Sequence, residues 1–218
     1  PVVLGVQRRD DMAYYNSAVL LGPDAEVVQT YDKHHLVPFG EYIPFGDLLG
    51  RIGLRGMAAQ FGSGFSSGPG ADLMDLGPLG QALPLICYEA VFARDVNAAP
   101  ARPAFLMQLT NDAWFGKGQG PLQHLAQARM RAIEQGLPMA RVANTGVSAM
   151  IDPWGRITKS LALNEAGFLD APLPAPRPAT PYSRWGEWPF LFITLAGFAL
   201  VILRRRRNLK FDQRGRQS

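Results

Sequence analysis

Apolar and polar positions alternate along the first 150 residues in short runs that read as β-strands. Residues 2–7, 17–21, 26–31, 83–87, 104–109 and 148–151 are rich in Val, Leu, Ile, Ala and aromatic residues, and Gly, Pro, Asn or Asp clusters bound them. One stretch switches to helical spacing. Residues 121–135 begin at Pro121, suited to a first helical turn, and stop at Gly136 with Pro138 just beyond. Strands interleaved with helices predict an α/β core whose sheet faces are covered by helices.

The pattern changes in the last quarter. Residues 171–181 contain five prolines and predict a stiff, extended linker. Residues 188–203 carry no charge and no polar stripe. As a helix they would span roughly 24 Å, short of a ~30 Å hydrocarbon core. Tyr182, Trp185 and Trp188 on one side and Arg204, Arg205, Arg206 and Arg207 on the other supply an aromatic belt and snorkelling cations, so a transmembrane helix is expected there. The expected organisation is a globular domain over 1–170, a proline-rich and aromatic interfacial segment over 171–187, a membrane helix over 188–203 and a basic tail over 204–218. The positive-inside rule puts that tail in the cytoplasm and the globular domain on the outer face of the membrane.

Charge adds one exclusion. The net charge is +4 over 218 residues, yet the tail holds seven basic residues against Asp212, leaving the rest of the chain at −2. The basicity belongs to the tail, so no nucleic-acid partner is expected. The chain opens on Pro1 and an apolar run, which suggests a C-terminal piece of a longer protein.

Chemistry concentrates in three places. Cys87 is the single cysteine, so no internal disulfide is expected. It closes the apolar run Leu83-Pro-Leu-Ile-Cys87 and precedes a helix-like stretch over 90–96. A thiol at such a turn would sit at the end of the sheet, with the helix N-terminus favouring its anion. Glu89 beside it either takes a proton or orients a partner. In Tyr31-Asp-Lys-His-His-Leu-Val-Pro-Phe-Gly-Glu-Tyr42, Lys33 and Glu41 bracket an apolar turn, and Lys33 suits charge developing on a carbonyl oxygen. A Cys–His dyad using His34, His35 or His124 is the alternative. One cysteine and scattered histidines do not make a metal site, and no metal or cofactor is expected. Asn111-Asp-Ala-Trp-Phe-Gly116 ends a strand with polar groups and a large aromatic. The Gly-rich stretch 62–70 lacks the Lys-Ser/Thr ending of a phosphate loop and is expected to be a flexible surface loop.

Lys33-His-His-Leu-Val-Pro-Phe-Gly-Glu-Tyr42, Ile86-Cys-Tyr-Glu89, Asn111-Asp-Ala-Trp-Phe-Gly116 and Arg141-Val-Ala-Asn-Thr-Gly146 follow one another in the order of the nitrilase superfamily. Together they resemble its bacterial apolipoprotein N-acyltransferase branch. The resemblance implies an α-β-β-α sandwich followed by one membrane helix, and a Glu–Lys–Cys triad in which Cys87 is the nucleophile and Lys33 the lysine. It implies supporting roles for Glu41, Glu89 and Tyr88, and substrate contacts for Trp114 and Asn111. The triad's glutamate is expected upstream of this chain, since Asp10, Asp11, Asp24 and Glu26 lie in the wrong context. The implied partners are a phospholipid acyl donor, a diacylated apolipoprotein acceptor and the membrane. The implied location is the bacterial inner membrane, with the catalytic domain facing the periplasm. A membrane-tethered carbon–nitrogen hydrolase and an inactive truncated module are the competing readings.

Overall fold

The computed structural model describes residues 2–11, 13–44 and 64–215, with side chains as far as 205. The chain forms two compact units, Pro1–Thr180 and Pro181–Ser218.

The first unit contains two sheets. Strands β1 (Val2–Asp10), β2 (Ala13–Leu21) and β3 (Val27–Asp32) form an antiparallel meander in that order. Strands β4 (Met74–Asp75), β5 (Gln81–Ile86), β6 (Phe105–Asn111), β7 (Met139–Asn144), β8 (Ser148–Ile151) and β9 (Ile157–Leu161) form a mixed sheet, again in chain order. Within it β5, β6 and β7 run parallel. Between them run the crossover helices α1 (Ala93–Asn97) and α2 (Gly120–Gln135).

The two-residue period of a strand sorts the β5 and β6 side chains into two cores. Ala82, Ile86, Phe105 and Met107 meet Ala18, Leu20 and Tyr31 of the first sheet. Leu83, Leu85 and Leu106 face the other way, onto Leu125, Ala128 and Ala132 of α2. The layers are therefore sheet, sheet, helix. Among the described residues no helix covers the outer face of the first sheet, where Val2, Leu4, Val27 and Val28 are exposed.

Helix α2 confirms the predicted stop. Gly136 takes the left-handed conformation (φ 63°), and Leu137 N–H caps the Ala132 carbonyl at 3.1 Å. Three strands escape the periodicity reading, the two-residue β4 among them. β7 carries Arg141 at a fully buried position, which breaks its apolar pattern, and β9 is a polar, exposed edge. The predicted helix over 90–96 is shorter and later. A 3-10 turn, Cys87–Val91, intervenes before α1.

The proline-rich stretch is extended but bound to the body as far as Thr180. Arg177 N–H donates to the Gly136 carbonyl at 2.9 Å, Arg102 donates to the Arg177 carbonyl at 2.8 Å, and Leu173 packs on the inter-sheet core. The Gly-rich stretch is tied down as well. Residues 62 and 63 lie outside the described residues. Beyond them Phe65 and Gly68 donate backbone N–H groups to the carbonyls of Glu41 (2.8 Å) and Lys33 (2.9 Å). A Cβ at Gly68 would stand 2.1 Å from the Asp32 carbonyl oxygen, so only glycine fits against that strand end.

The second unit consists of a short helix α3 (Pro181–Trp185) and a long helix α4 (Trp188–Gly215). Trp188–Arg205 is long and apolar enough to cross a membrane, and none of it is buried. The helix runs past the 16 residues of the apolar segment without a break, for roughly 42 Å at 1.5 Å per residue. Thr194 returns its hydroxyl to the Phe190 carbonyl at 2.8 Å, which satisfies that donor within the helix.

Candidate active site around Cys87

The three polar segments meet at the C-terminal ends of β5 and β6, the usual place for a site in a parallel sheet. Cys87 follows β5 directly, with a left-handed backbone (φ 51°). For a residue with a Cβ that conformation costs on the order of 1–3 kcal/mol. The surrounding contacts must hold it there.

Glu89 supplies one such contact. Its carboxylate is fully buried, and both of its oxygens accept hydrogen bonds. Oε2 accepts the Ile86 N–H at 2.7 Å. Oε1 accepts the Tyr31 hydroxyl at 2.9 Å and the N–H groups of His34 and His35 at 2.9 and 3.3 Å. His34 Nδ1 stands 2.8 Å from the same oxygen. One carboxylate thereby laces the loop after β3 to the Cys87 turn. Both oxygens are engaged by structural donors, the setting of a carboxylate that orients the turn.

Lys33 sits at the start of that loop with its side chain fully buried. Its Nζ donates to Glu41 Oε2 at 2.6 Å, and the same oxygen accepts the Val37 N–H at 2.8 Å. Asn16 holds the other Glu41 oxygen at 3.2 Å. The expected Lys33–Glu41 bracket is thus an ion pair of a buried lysine and a partly buried glutamate around the Val37–Glu41 turn.

Burial pushes the Cys87 thiol above its ordinary range, while the Lys33 charge and a hydrogen bond from the Thr110 hydroxyl pull it down. The net direction is up. This corrects the expectation that a helix N-terminus favours the thiolate: Cys87 begins a 3-10 turn of five residues, too short for a developed dipole, and its half-buried position dominates. His34 moves up because it hydrogen-bonds Glu89, against the opposing effect of burial. Tyr31 moves far up through burial and the adjacent Glu89 charge, so it stays a donor.

None of the three histidines is placed as a partner of the thiol. His34 is engaged by Glu89 and Tyr31. His35 Nδ1 meets Asp95 at 2.5 Å. His124 Nδ1 meets Asp112 at 2.9 Å and its Nε2 faces the Cys87 carbonyl oxygen, not the sulfur. A cysteine–histidine dyad is therefore absent among the described residues. Tyr88 packs edge-on against His35 and Phe92. Trp114 is 64% exposed, and Asn111 is exposed, capping Ala113 N–H at 3.2 Å and accepting from Asn144 at 3.2 Å. Pattern reading gave no role to Tyr31, Asn16, Gln108 or Thr110, because each is an ordinary polar residue within a strand. Only strand register reveals them: Gln108 is the cross-strand partner of Arg141. Acidic side chains before Lys33 do not face the thiol. Asp10, Asp11, Asp24 and Glu26 are exposed, and Asp32 is held by Arg8 (2.6 Å) and Ser17 (2.5 Å).

A thiol on a constrained turn and a buried lysine whose charge acts on it are the groups that nucleophilic attack on a carbonyl carbon would use, the sulfur to attack and the cation to face an oxyanion. The two-sheet fold and this constellation define the class, and the chain belongs to the carbon–nitrogen hydrolase family, whose sequence profile matches residues 1–177. Within that class it is similar to the apolipoprotein N-acyltransferase of Rhodopseudomonas palustris, 48% identical over 192 residues, covering 88% of this chain and 36% of the relative. It is 47% identical over 191 residues to that of Bradyrhizobium diazoefficiens, covering 88% and 35%. The chain thus spans about a third of the length of the curated relatives it matches. Among solved structures it resembles a carbon–nitrogen hydrolase from Helicobacter pylori G27 (TM-score 0.54, 18% identity, 76% of this chain and 59% of the other). It also resembles an amidase from Nesterenkonia sp. (TM-score 0.52, 21% identity, 74% and 56%). At these identities the two structures bear on the fold.

Proposed function

We propose that this chain carries the acyl-transfer centre of an apolipoprotein N-acyltransferase. The observation that carries the reading is the left-handed Cys87 at the end of β5, within reach of the charge of the buried Lys33 that Glu41 pairs. The similarity to named acyltransferases and the apolar helix Trp188–Arg205 support it.

In the first half-reaction the Cys87 sulfur gives its proton to a carboxylate base and attacks an ester carbonyl carbon of a phospholipid. The resemblance assigns that base to a glutamate N-terminal to Lys33. The C=O electron pair moves onto oxygen, where the Lys33 ammonium stabilises it. Collapse re-forms C=O and breaks the ester C–O bond, and the leaving alkoxide takes the proton from the base. The products are a Cys87 thioester and a lysophospholipid. In the second half-reaction the N-terminal amine of a diacylglyceryl-cysteine attacks the thioester, the base accepts its proton, and collapse expels the thiolate to leave an amide. Glu41 pairs with Lys33 and aims it, Glu89 holds the turn, and Tyr88, Asn111 and Trp114 line the approach.

Both substrates are lipids, which accounts for tethering the domain to a bilayer. Helix α4 crosses the inner membrane, and the Arg204–Arg207 end lies in the cytoplasm by the positive-inside rule. The body then faces the periplasm.

The test supplies the full-length protein with acyl-labelled phospholipid and a diacylated peptide. A labelled thioester at Cys87 followed by N-acylated peptide is the expected result. A Cys87→Ala protein that still accumulated acyl-enzyme would overturn the assignment. Turnover of small amides without peptide acylation would mark a tethered hydrolase instead.

A further inference from the structure

Helix α2 has two sides, and the core of the first unit uses one of them. His124, Leu125, Ala128, Ala132 and Gln135 are buried. On the outer side Leu122, Ala126, Met130 and Ile133 follow one another at i, i+4, i+8 and i+11, a single stripe along the helix. A helix turned to water carries polar residues on that side. Here Leu122, Met130 and Ile133 are 44%, 52% and 48% exposed.

The stripe continues at both ends. At the start of α2 the loop after β6 packs Phe115 against the helix: a Cβ at Gly120 would stand 2.6 Å from Phe115 Cβ, and the Phe115 ring lies 5.2 Å from that of His124. Phe115 and its neighbour Trp114 are both exposed. At the other end the turn between β8 and β9 abuts Ile133, since a Cβ at Gly155 would stand 2.6 Å from Ile133 Cδ1. Trp154, in that turn, is 53% exposed. The apolar strip therefore runs from the loop at the end of β6, over the roughly 24 Å of α2, to Trp154.

Arginines rim the Trp154 end. The guanidinium groups of Arg156 and Arg177 lie over the Trp154 ring, 4.9 and 4.8 Å from its centroid, and Arg129 Nε donates to the Gly155 carbonyl at 2.6 Å. Asp152 pairs with Arg156 at 2.7 Å, while Arg129 and Arg177 have no carboxylate partner among the described residues. An exposed indole among cations, beside an apolar stripe, is the composition that suits a lipid headgroup boundary. The ring and the methylenes enter the edge of the acyl region, and the guanidinium groups meet phosphate. The chain also leaves the body at this end. Arg177 N–H donates to the Gly136 carbonyl at 2.9 Å, the Thr180 hydroxyl donates to the Glu134 carbonyl, and the apolar span begins at Trp188, eight positions after Thr180.

We propose that the Leu122–Ile133 stripe, Trp154 and the Arg129–Arg156–Arg177 rim form the face by which the globular unit lies on the membrane surface, with anionic phospholipid headgroups taking the arginines. The proposal rests on the reading of Trp188–Arg205 as a membrane span. Charge selects lipid over a second copy of the chain. The sequence has no Asp or Glu from Ala113 to Ile133, so a second copy laid on the stripe would bring arginines without carboxylates to meet them, whereas a phosphate-bearing surface supplies the anions. Because the strip begins at the loop that bears Trp114, docking on it sets that loop at the lipid surface, where both proposed substrates reside.

The test uses the full-length protein in vesicles of phosphatidylglycerol and phosphatidylethanolamine, with photoreactive benzoylphenylalanine replacing Met130 or Trp154 in turn. After irradiation, mass spectrometry of the peptides holding each position reads what it touched. Phospholipid adducts at both positions are the expected result. Adding Arg129→Glu and Arg177→Glu to the Met130-substituted protein should lower its adduct yield at least about 5-fold, the worth of one basic residue at an anionic surface, and phosphatidylcholine vesicles should lower it likewise. Arg129→Lys with Arg177→Lys keeps the charge and should keep the yield. Cross-links to a second protein chain or to other parts of the same chain in place of lipid, or a yield indifferent to charge reversal, overturn the proposal. Carbonate extraction of the same vesicles separates the face from the span: protein that stays in the membrane without lipid adducts overturns the docking face alone, and protein released by carbonate overturns both.

Discussion

Replacing Glu89 by glutamine separates a carboxylate that braces the site from one that moves protons. The wild-type carboxylate receives Tyr31, His34 and His35 on Oε1 and the Ile86 N–H on Oε2. Glutamine offers one oxygen. Its better orientation keeps that oxygen toward Tyr31 and the two histidine N–H groups, which turns the NH2 toward Ile86 N–H. Two donors then face each other in a fully buried space. The unsatisfied Ile86 N–H costs about 1–3 kcal/mol, and the three retained bonds lose their charge assistance. A destabilisation of roughly 3–5 kcal/mol follows, which for a unit of about 180 residues lowers the melting temperature by roughly 6–20 °C. Near-UV circular dichroism of the detergent-solubilised protein on heating measures it, alongside acyl-enzyme formation well below either transition. Glu89→Gln melting within about 2 °C of the wild type while losing acyl-enzyme formation would refute the bracing argument and assign Glu89 a proton-transfer role.

Other outcomes follow from the same geometry. Lys33→Met removes the charge that pulls the Cys87 thiol down, so Cys87 alkylation should need still higher pH; a profile unchanged from wild type would contradict the pairing. That variant also strands the partly buried Glu41 carboxylate and should cost about 3–5 kcal/mol in a denaturant titration. His34 is held above its ordinary value by Glu89, so its contribution to stability is complete below about pH 6.5 and is lost as pH rises through the folded value; His34→Gln should flatten that alkaline decline in melting temperature. Asp112 runs the other way. Burial raises it, but the His124 hydrogen bond and the Arg141 charge outweigh that, so its contribution is present above about pH 4 and fades as pH falls through the depressed folded value; Asp112→Asn should blunt the acid limb of the melting-temperature profile. An arginine at Ala196, near the middle of Trp188–Arg205, should cost about 2.5–3.5 kcal/mol of insertion and move protein out of the membrane fraction, measured by carbonate extraction.

Much of this protein is legible in its sequence because local rules govern the legible parts. Alternation places β1, β2, β3, β5, β6 and β8, Pro121 and Gly136 bound α2, and an uncharged run closed by arginines marks α4. Motif residues named Cys87, Lys33, Glu41 and Glu89 for the same reason: their residue types and spacing carry chemistry. What only the tertiary structure decided depends on neighbours distant in the chain. The β7 strand exists because Met139, Arg141 and Ala143 pair in parallel with β6, and the buried Arg141 that hid it from periodicity is paid for by Asp112 and Gln108. The histidines, equal candidates in sequence, become supports because Glu89, Asp95 and Asp112 reach them first. The thiol looked activated by a helix end; its burial at the C-terminal end of β5 sets the opposite direction, and Lys33 and Thr110 partly offset it. Periodicity reports which face a residue turns to the core, while register and burial determine what it meets there.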